Sequence, residues 1–221
     1  MDRRNFLTKG AAATAVFASM SSSSNAAESK TVRIVGVSCS PRKGKTTAMA
    51  VKAALDAAQS FNSGIKTELI DLGGMEISGW SGASQPTKDD FDKTVLPKLL
   101  EPLPDGLIIG SPVYFRTMSA LCKAFLERLA VMRKPKLLLA DVPVGVLTVG
   151  AYRNGGQELV IEQIQSAMLC HEVMVVGGKP GAHQGATLWN AYKDDIEKDD
   201  FGIDSAKKLG IRVAEAALSL T

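Results

Sequence analysis

The chain is poor in cysteine, with Cys39, Cys122 and Cys170 the only three in 221 residues. So odd and sparse a set builds no disulfide framework, and its spacing matches no zinc or iron–sulfur motif. Histidine is scarcer still. His171 and His183 stand alone, so no metal site and no dedicated acid–base dyad are expected. Charge of one sign is missing too. Residues 1–27 hold three of the 26 basic residues and one of the 23 acidic ones, which leaves the remainder near neutral. A near-neutral body gives no reason to expect a nucleic-acid partner. Past residue 27 no apolar run reaches the ~18–20 residues a bilayer span needs. No internal repeat and no low-complexity linker follows residue 30. What is there is ordinary for a globular protein: 45% hydrophobic and 22% charged residues. The length suits one domain, large enough to bury its own core without staples.

The first segment reads as an address. Arg3-Arg4-Asn5-Phe6-Leu7 precedes a short apolar run from Ala11 to Met20, a serine-rich stretch and Asn25-Ala26-Ala27. A basic start, a short apolar middle and a small-residue exit describe a signal peptide. Arg3-Arg4 followed by Phe6-Leu7 resembles the twin-arginine export signal, a route for proteins that fold before export. The expected organisation is therefore a leader over residues 1–27, cleaved near Ala26 or Ala27, and one domain over 28–221. The expected location is periplasmic or otherwise outside the cytoplasm.

The body alternates strands and helices. Thr31–Val37, Lys66–Leu72, Gly106–Gly110, Val142–Val149 and Val173–Val176 read as strands, rich in β-branched residues or continuously apolar. Helical spacing of apolar residues marks Thr46–Phe61, Asp90–Leu100, Met118–Leu129, Gln157–Leu169 and Ile203–Leu220. This alternation predicts an α/β fold: a doubly wound, five-stranded parallel sheet in the order 2-1-3-4-5, with helices on both faces. Ligands of such sheets bind beyond the carboxyl ends of the strands, at the switch point. The loops after strands one, three and four are therefore the informative ones.

The first of them, Ser38-Cys39-Ser40-Pro41-Arg42-Lys43-Gly44-Lys45-Thr46-Thr47, joins a strand to a helix N-terminus. Free N–H groups and the positive end of the helix dipole favour an anion there. Ser40, Thr46 and Thr47 add hydroxyls, Arg42 a two-pronged grip on phosphate oxygens, and Gly44 a tight turn. Cys39-x-x-x-x-Gly44-Lys45-Thr46 also comes within one residue of the nucleotide P-loop pattern, and Lys136–Asp141 offers a matching magnesium-binding strand end. Pro41 argues against that reading, because it removes a backbone donor from a loop that must wrap phosphates with N–H groups. Cys39 also lacks the freedom of the glycine it replaces.

The other two loops read Ser111-Pro112-Val113-Tyr114-Phe115, leading into Lys123-Ala124-Phe125-Leu126-Glu127-Arg128, and Gly150-Ala151-Tyr152-Arg153-Asn154-Gly155-Gly156-Gln157-Glu158. Taken in order with SPRKGKTT, these segments resemble the NADPH-dependent FMN reductase family of flavodoxin-like proteins. The similarity covers residues 31–221 and includes Gly181–Ala186 and Asp200-Phe201-Gly202. The resemblance implies bound FMN. Ser38, Ser40, Arg42, Lys45, Thr46 and Thr47 would hold its phosphate. Pro112, Val113, Tyr114, Phe115 and Ser119 would meet the ribityl chain and ring, and Thr148, Gly150 and Gly155 the other edge. A neutral planar ring suits such an apolar wall beside approachable main chain. Two departures stand out: family members often carry Gly at the place of Cys39, and Gly-Asn at that of Lys45-Thr46. Relatives with an iron–sulfur cluster carry closely spaced cysteines after the second strand; Leu72–Lys88 has none, so no cluster is expected.

The activity implied is that of a flavin-dependent oxidoreductase, with NAD(P)H as donor and a small molecule as acceptor. An exported protein would instead draw on a quinol or a redox protein. The other reading is a flavodoxin-like electron carrier without a substrate of its own, which the missing acidic surface disfavours. Family resemblance also implies a homo-oligomer.

Overall fold

A computed structural model describes residues 31–82 and 88–221; the leader expected over residues 1–27 lies outside them. The strands are β1 (Val32–Ser38), β2 (Ile65–Asp71), β3 (Gly106–Tyr114), β4 (Thr117–Met118), β5 (Pro143–Gly150), β6 (Met174–Val175) and β7 (Ala186–Trp189). The helices are α1 (Thr46–Phe61), α2 (Leu96–Leu100), α3 (Ala120–Arg128), α4 (Gln157–Leu169) and α5 (Asp200–Leu220). The main sheet is parallel and runs β2-β1-β3-β5, with β6 and β7 both against β5. The expected doubly wound, flavodoxin-like order is thus present.

Its fifth position is filled in two pieces. β6 pairs with Pro143 and Val144, and β7 pairs with Leu147–Gly150. Between them Gly177-Gly178-Lys179-Pro180-Gly181 interrupts the strand, because glycine gives it little to pack and proline cannot donate to the ladder. Periodicity identified the first piece and missed β7. The expected helix over Asp90–Leu100 also divides. Phe91–Val95 forms a π-helical turn, closed by Leu96 N–H donating to the Phe91 carbonyl, and only then does α2 begin. Pro97 explains the wide turn, since it has no N–H and its ring would clash with the carbonyl four residues back. β3 runs on to Tyr114, where a loop was expected, because Ser111 and Pro112 pair with Thr148 and Val149 of β5. Its tip then turns back through β4.

Two cores result. On one face α1 and α5 cover Ile34, Ile108, Leu147 and Leu188. α5 crosses α1 where Gly210 lies against the Ala54 carbonyl; a Cβ on residue 210 would stand 1.9 Å from that oxygen. On the other face the π-helical turn, α3 and α4 bury Phe91, Phe125, Leu129, Ile161 and Ile164 against Val35, Ile109 and Val146. Here Arg128 is buried. It bonds to Asp89 at 2.6 Å and Asp92 at 2.8 Å and lies 4.8 Å over the Phe91 ring. That buried pair ties α3 to the turn before α2 and so fixes the helix that follows the β3–β4 hairpin.

Candidate functional site

The carboxyl ends of β1, β3 and β5 meet at the rim of the sheet, where the switch point was expected. A cavity of about 320 Å³ opens there. Arg42 and Thr46 of the β1–α1 loop line one end; Pro112, Val113 and Tyr114 of β3 and Val149, Gly150 and Ala151 of β5 line its sides. Asn190, Tyr192 and Lys193, from the segment after β7, close over it.

The β1–α1 loop is held from below. Cys39 N–H donates to the Gly110 carbonyl at 2.8 Å and Leu72 N–H to the Ser38 carbonyl at 3.0 Å. The Asp71 carboxylate accepts from Gly44 N–H at 2.7 Å and from Gly73 N–H at 3.1 Å. Gly44 adopts the left-handed region, at φ 68°, which glycine enters at little cost. Ser40 folds the loop on itself by accepting from Arg42 N–H at 3.2 Å. No sequence signal marked Asp71; its role comes from its place at the end of β2, beside the loop.

Two features of this loop suit a ligand. Lys45 caps α1 without any side-chain bond to the first turn, whose leading N–H groups have no partner within a helix. The Ser38 and Thr47 hydroxyls are buried and have no hydrogen-bond partner. Buried polar atoms are rarely left so. Free amide donors at a helix start favour a phosphate; of the loop's residues, Arg42 and Thr46 line the cavity, whereas Ser38 and Thr47 lie buried behind it.

The two cations of the loop are already engaged. Arg42 and Lys45 both pair with Asp194, at 2.5 and 3.0 Å. The Lys45 hydrogen bond, aided by the charges of Lys45 and Arg42, holds the Asp194 carboxyl below its usual range. Asp194 carried no signal in the sequence, because it lies 152 positions from Arg42.

The ring-side residues divide into three groups. Pro112, Val113, Tyr114 and Gly150 line the cavity. Ser119 and Thr148 are buried, and their hydroxyls serve the scaffold. Ser119 donates to the Cys39 carbonyl at 2.6 Å and accepts from Cys122 N–H at 3.0 Å, which caps α3. Thr148 donates to the Gln157 carbonyl at 3.1 Å. Phe115 points away from the cavity, fully exposed at the hairpin tip with φ 50°. It lines a neighbouring apolar cavity of about 920 Å³, together with Met118 and Leu159. Gly155 belongs with the scaffold group: its N–H donates to the Gln157 side chain at 2.8 Å. That side chain is buried and also donates to the Tyr152 and Leu188 carbonyls. Gln157 therefore shapes the whole 150–156 loop, a role hidden inside the Gly-Gly-Gln-Glu motif.

Cys39, where family members often carry glycine, turns its side chain into the core. Burial, and next to it the hydrogen bond with Cys122, push its thiol well above the usual range. A thiol so held is no nucleophile.

The family described as NADPH-dependent FMN reductase matches residues 32–187. The chain belongs to that family. An iron-sulfur flavoprotein of Methanocaldococcus jannaschii is 38% identical over 192 residues, covering 83% of this chain and 96% of the relative. One of Methanosarcina thermophila is 30% identical over 182 residues, covering 80% and 93%. Among solved structures, a flavone reductase superposes with a TM-score of 0.65 at 19% identity, over 86% of this chain and 64% of that one. A flavodoxin, WrbA-like protein from Agrobacterium tumefaciens gives 0.59 at 17%, over 86% and 98%. At such identities the superpositions speak for the fold. Family membership makes this chain a flavoprotein and, in general terms, an FMN-dependent oxidoreductase. Of its three cysteines, Cys39 and Cys122 are buried against each other in the core, and Cys170 is exposed after α4. Among the described residues no cluster of His, Cys, Asp and Glu is grouped to hold a metal.

Proposed function

We propose that this protein takes electrons from a donor and delivers them, through FMN held in the 320 Å³ cavity, to a small-molecule acceptor. The orphan hydroxyls of Ser38 and Thr47 behind an uncapped helix end carry this reading. They answer to the phosphate that distinguishes FMN from riboflavin. Bound FMN supplies the redox chemistry; the chain binds, orients and tunes it. Ser38, Thr46, Thr47 and Arg42 hold the phosphate. Pro112, Val113, Tyr114 and Tyr192 give the ring an apolar enclosure, and the main chain at Gly150 and Ala151 supplies polar groups at its edge. The absorbance spectrum of the purified protein, followed by phosphorus analysis of the released chromophore, tests this. An oxidised-flavin spectrum with one phosphate per chromophore is expected. A colourless protein that takes up no added FMN would end the proposal.

NAD(P)H is the donor the family name supports. Anaerobic stopped-flow with NADPH and with NADH tests it, since loss of flavin absorbance with neither would remove both. The twin-arginine pattern at Arg3-Arg4 supports export, and an exported protein meets a quinol or a redox protein in place of a nicotinamide. Fractionation of cells carrying Arg3→Lys/Arg4→Lys, with the protein then retained in the cytoplasm, is the expected result.

The flavin works without an iron–sulfur cluster, although the relatives are named for one. Three cysteines, two of them locked in the core, cannot supply the four thiolates that such clusters usually take. Iron and acid-labile sulfide should both be absent from protein purified anaerobically.

A further inference from the structure

Asp194 places a carboxylate between the two cations of the phosphate loop, 2.5 Å from Arg42 and 3.0 Å from Lys45. It belongs to a short strap, residues 190–194, that also roofs the cavity with Asn190, Tyr192 and Lys193. The strap is latched at two points. Asn190 N–H donates to the Gly150 carbonyl at 3.0 Å, and the Tyr192 hydroxyl bonds to that of Tyr152, the rings meeting edge to face at 5.1 Å. Between the latches Ala191 and Tyr192 both take left-handed backbone, at φ 48° and 62°. Non-glycine residues adopt that conformation at a cost, so the strap is a shape held by its contacts.

A bound phosphate carries about −1.5 to −2 charges and would share Arg42 and Lys45 with a carboxylate that repels it. The stronger anion, with three acceptor oxygens, takes the cations. We propose that Asp194 is an internal substitute for the flavin phosphate: it pairs with Arg42 and Lys45 and must give them up when FMN enters, so that FMN binds in competition with it. Riboflavin carries no anion and does not compete for the two cations. This proposal rests on the FMN reading above.

Isothermal titration of the full chain with FMN and with riboflavin tests it, using wild type, Asp194→Asn and Asp194→Glu. The exchange of an exposed carboxylate for a neutral amide should tighten FMN about two- to fivefold, with riboflavin unchanged. Asp194→Glu should stay near wild type. Weaker FMN binding by Asp194→Asn would show instead that Asp194 positions Arg42, and would overturn the proposal. Equal FMN affinity would overturn it too, as would a parallel change for riboflavin. Inorganic phosphate, followed by thermal shift, separates this from the flavin reading. If neither protein binds FMN but phosphate stabilises Asp194→Asn more than wild type, the flavin reading fails and the substitute anion stands. If phosphate also treats the two alike, both fail.

Discussion

At the scale of single residues, the most informative groups are the two hydroxyls that bond to nothing. A buried hydroxyl without a partner costs roughly 1–3 kcal/mol, and Thr47 is nearly free of solvent contact. Thr47→Val removes that cost while keeping the shape. Ligand-free protein should then gain about 1 kcal/mol in urea unfolding while its affinity for FMN falls. Equal or lower stability would mean that the hydroxyl has a partner in solution. The sequence made Thr47 legible through its place after a strand and at a helix start. It gave no hint of Asp194, since an ion pair across 152 positions has no local signature. Ser119 and Thr148 show the converse difficulty. Their residue type fits a ligand, yet each hydroxyl is spent on the backbone, and only the three-dimensional neighbours decide between the two uses.

At the scale of elements, periodicity found every helix and the four long strands. It failed where a proline or a run of glycines acts locally. Pro97 turned one expected helix into a π-helical turn and a short helix. The glycine-rich stretch from Gly177 divided the last strand and left β7 too short to read. The packing of α5 on α1 was legible only as two apolar stripes, because the closeness of the crossing depends on one residue without a side chain. Gly210→Ala would place a methyl group against the Ala54 carbonyl. Forcing the helices apart should cost ~1–3 kcal/mol, read as a lower urea midpoint with an unchanged slope. An undiminished midpoint would show that α5 can shift freely on α1.

At the scale of the whole molecule, stability should depend on acidity through His171. This side chain is buried, and its Nδ1 has no partner. Burial, and then the charge of Arg133, lower its pKa. The unfolded chain takes up a proton near pH 6.5, whereas the folded one resists it. Stability is therefore full above about pH 6.5 and declines as pH falls below, by at most about 1.4 kcal/mol per pH unit. His171→Leu should flatten the profile between about pH 6.5 and 5.5; a profile no flatter than wild type would assign the loss to other groups. The placement of the site was legible at this scale too, since the order of a doubly wound sheet dictates where its switch point lies. The roof was not, because it comes from a segment after the last strand.

The chain has only two tryptophans. Trp80 is exposed, far along the chain from the strap. Trp189 ends β7 at the foot of the strap, with the Arg153 guanidinium 5.7 Å over its ring. Trp80→Phe therefore leaves a single tryptophan, at the hinge of the roof. Its emission maximum and its quenching by acrylamide would follow the strap as ligands are added, with no label attached to the protein.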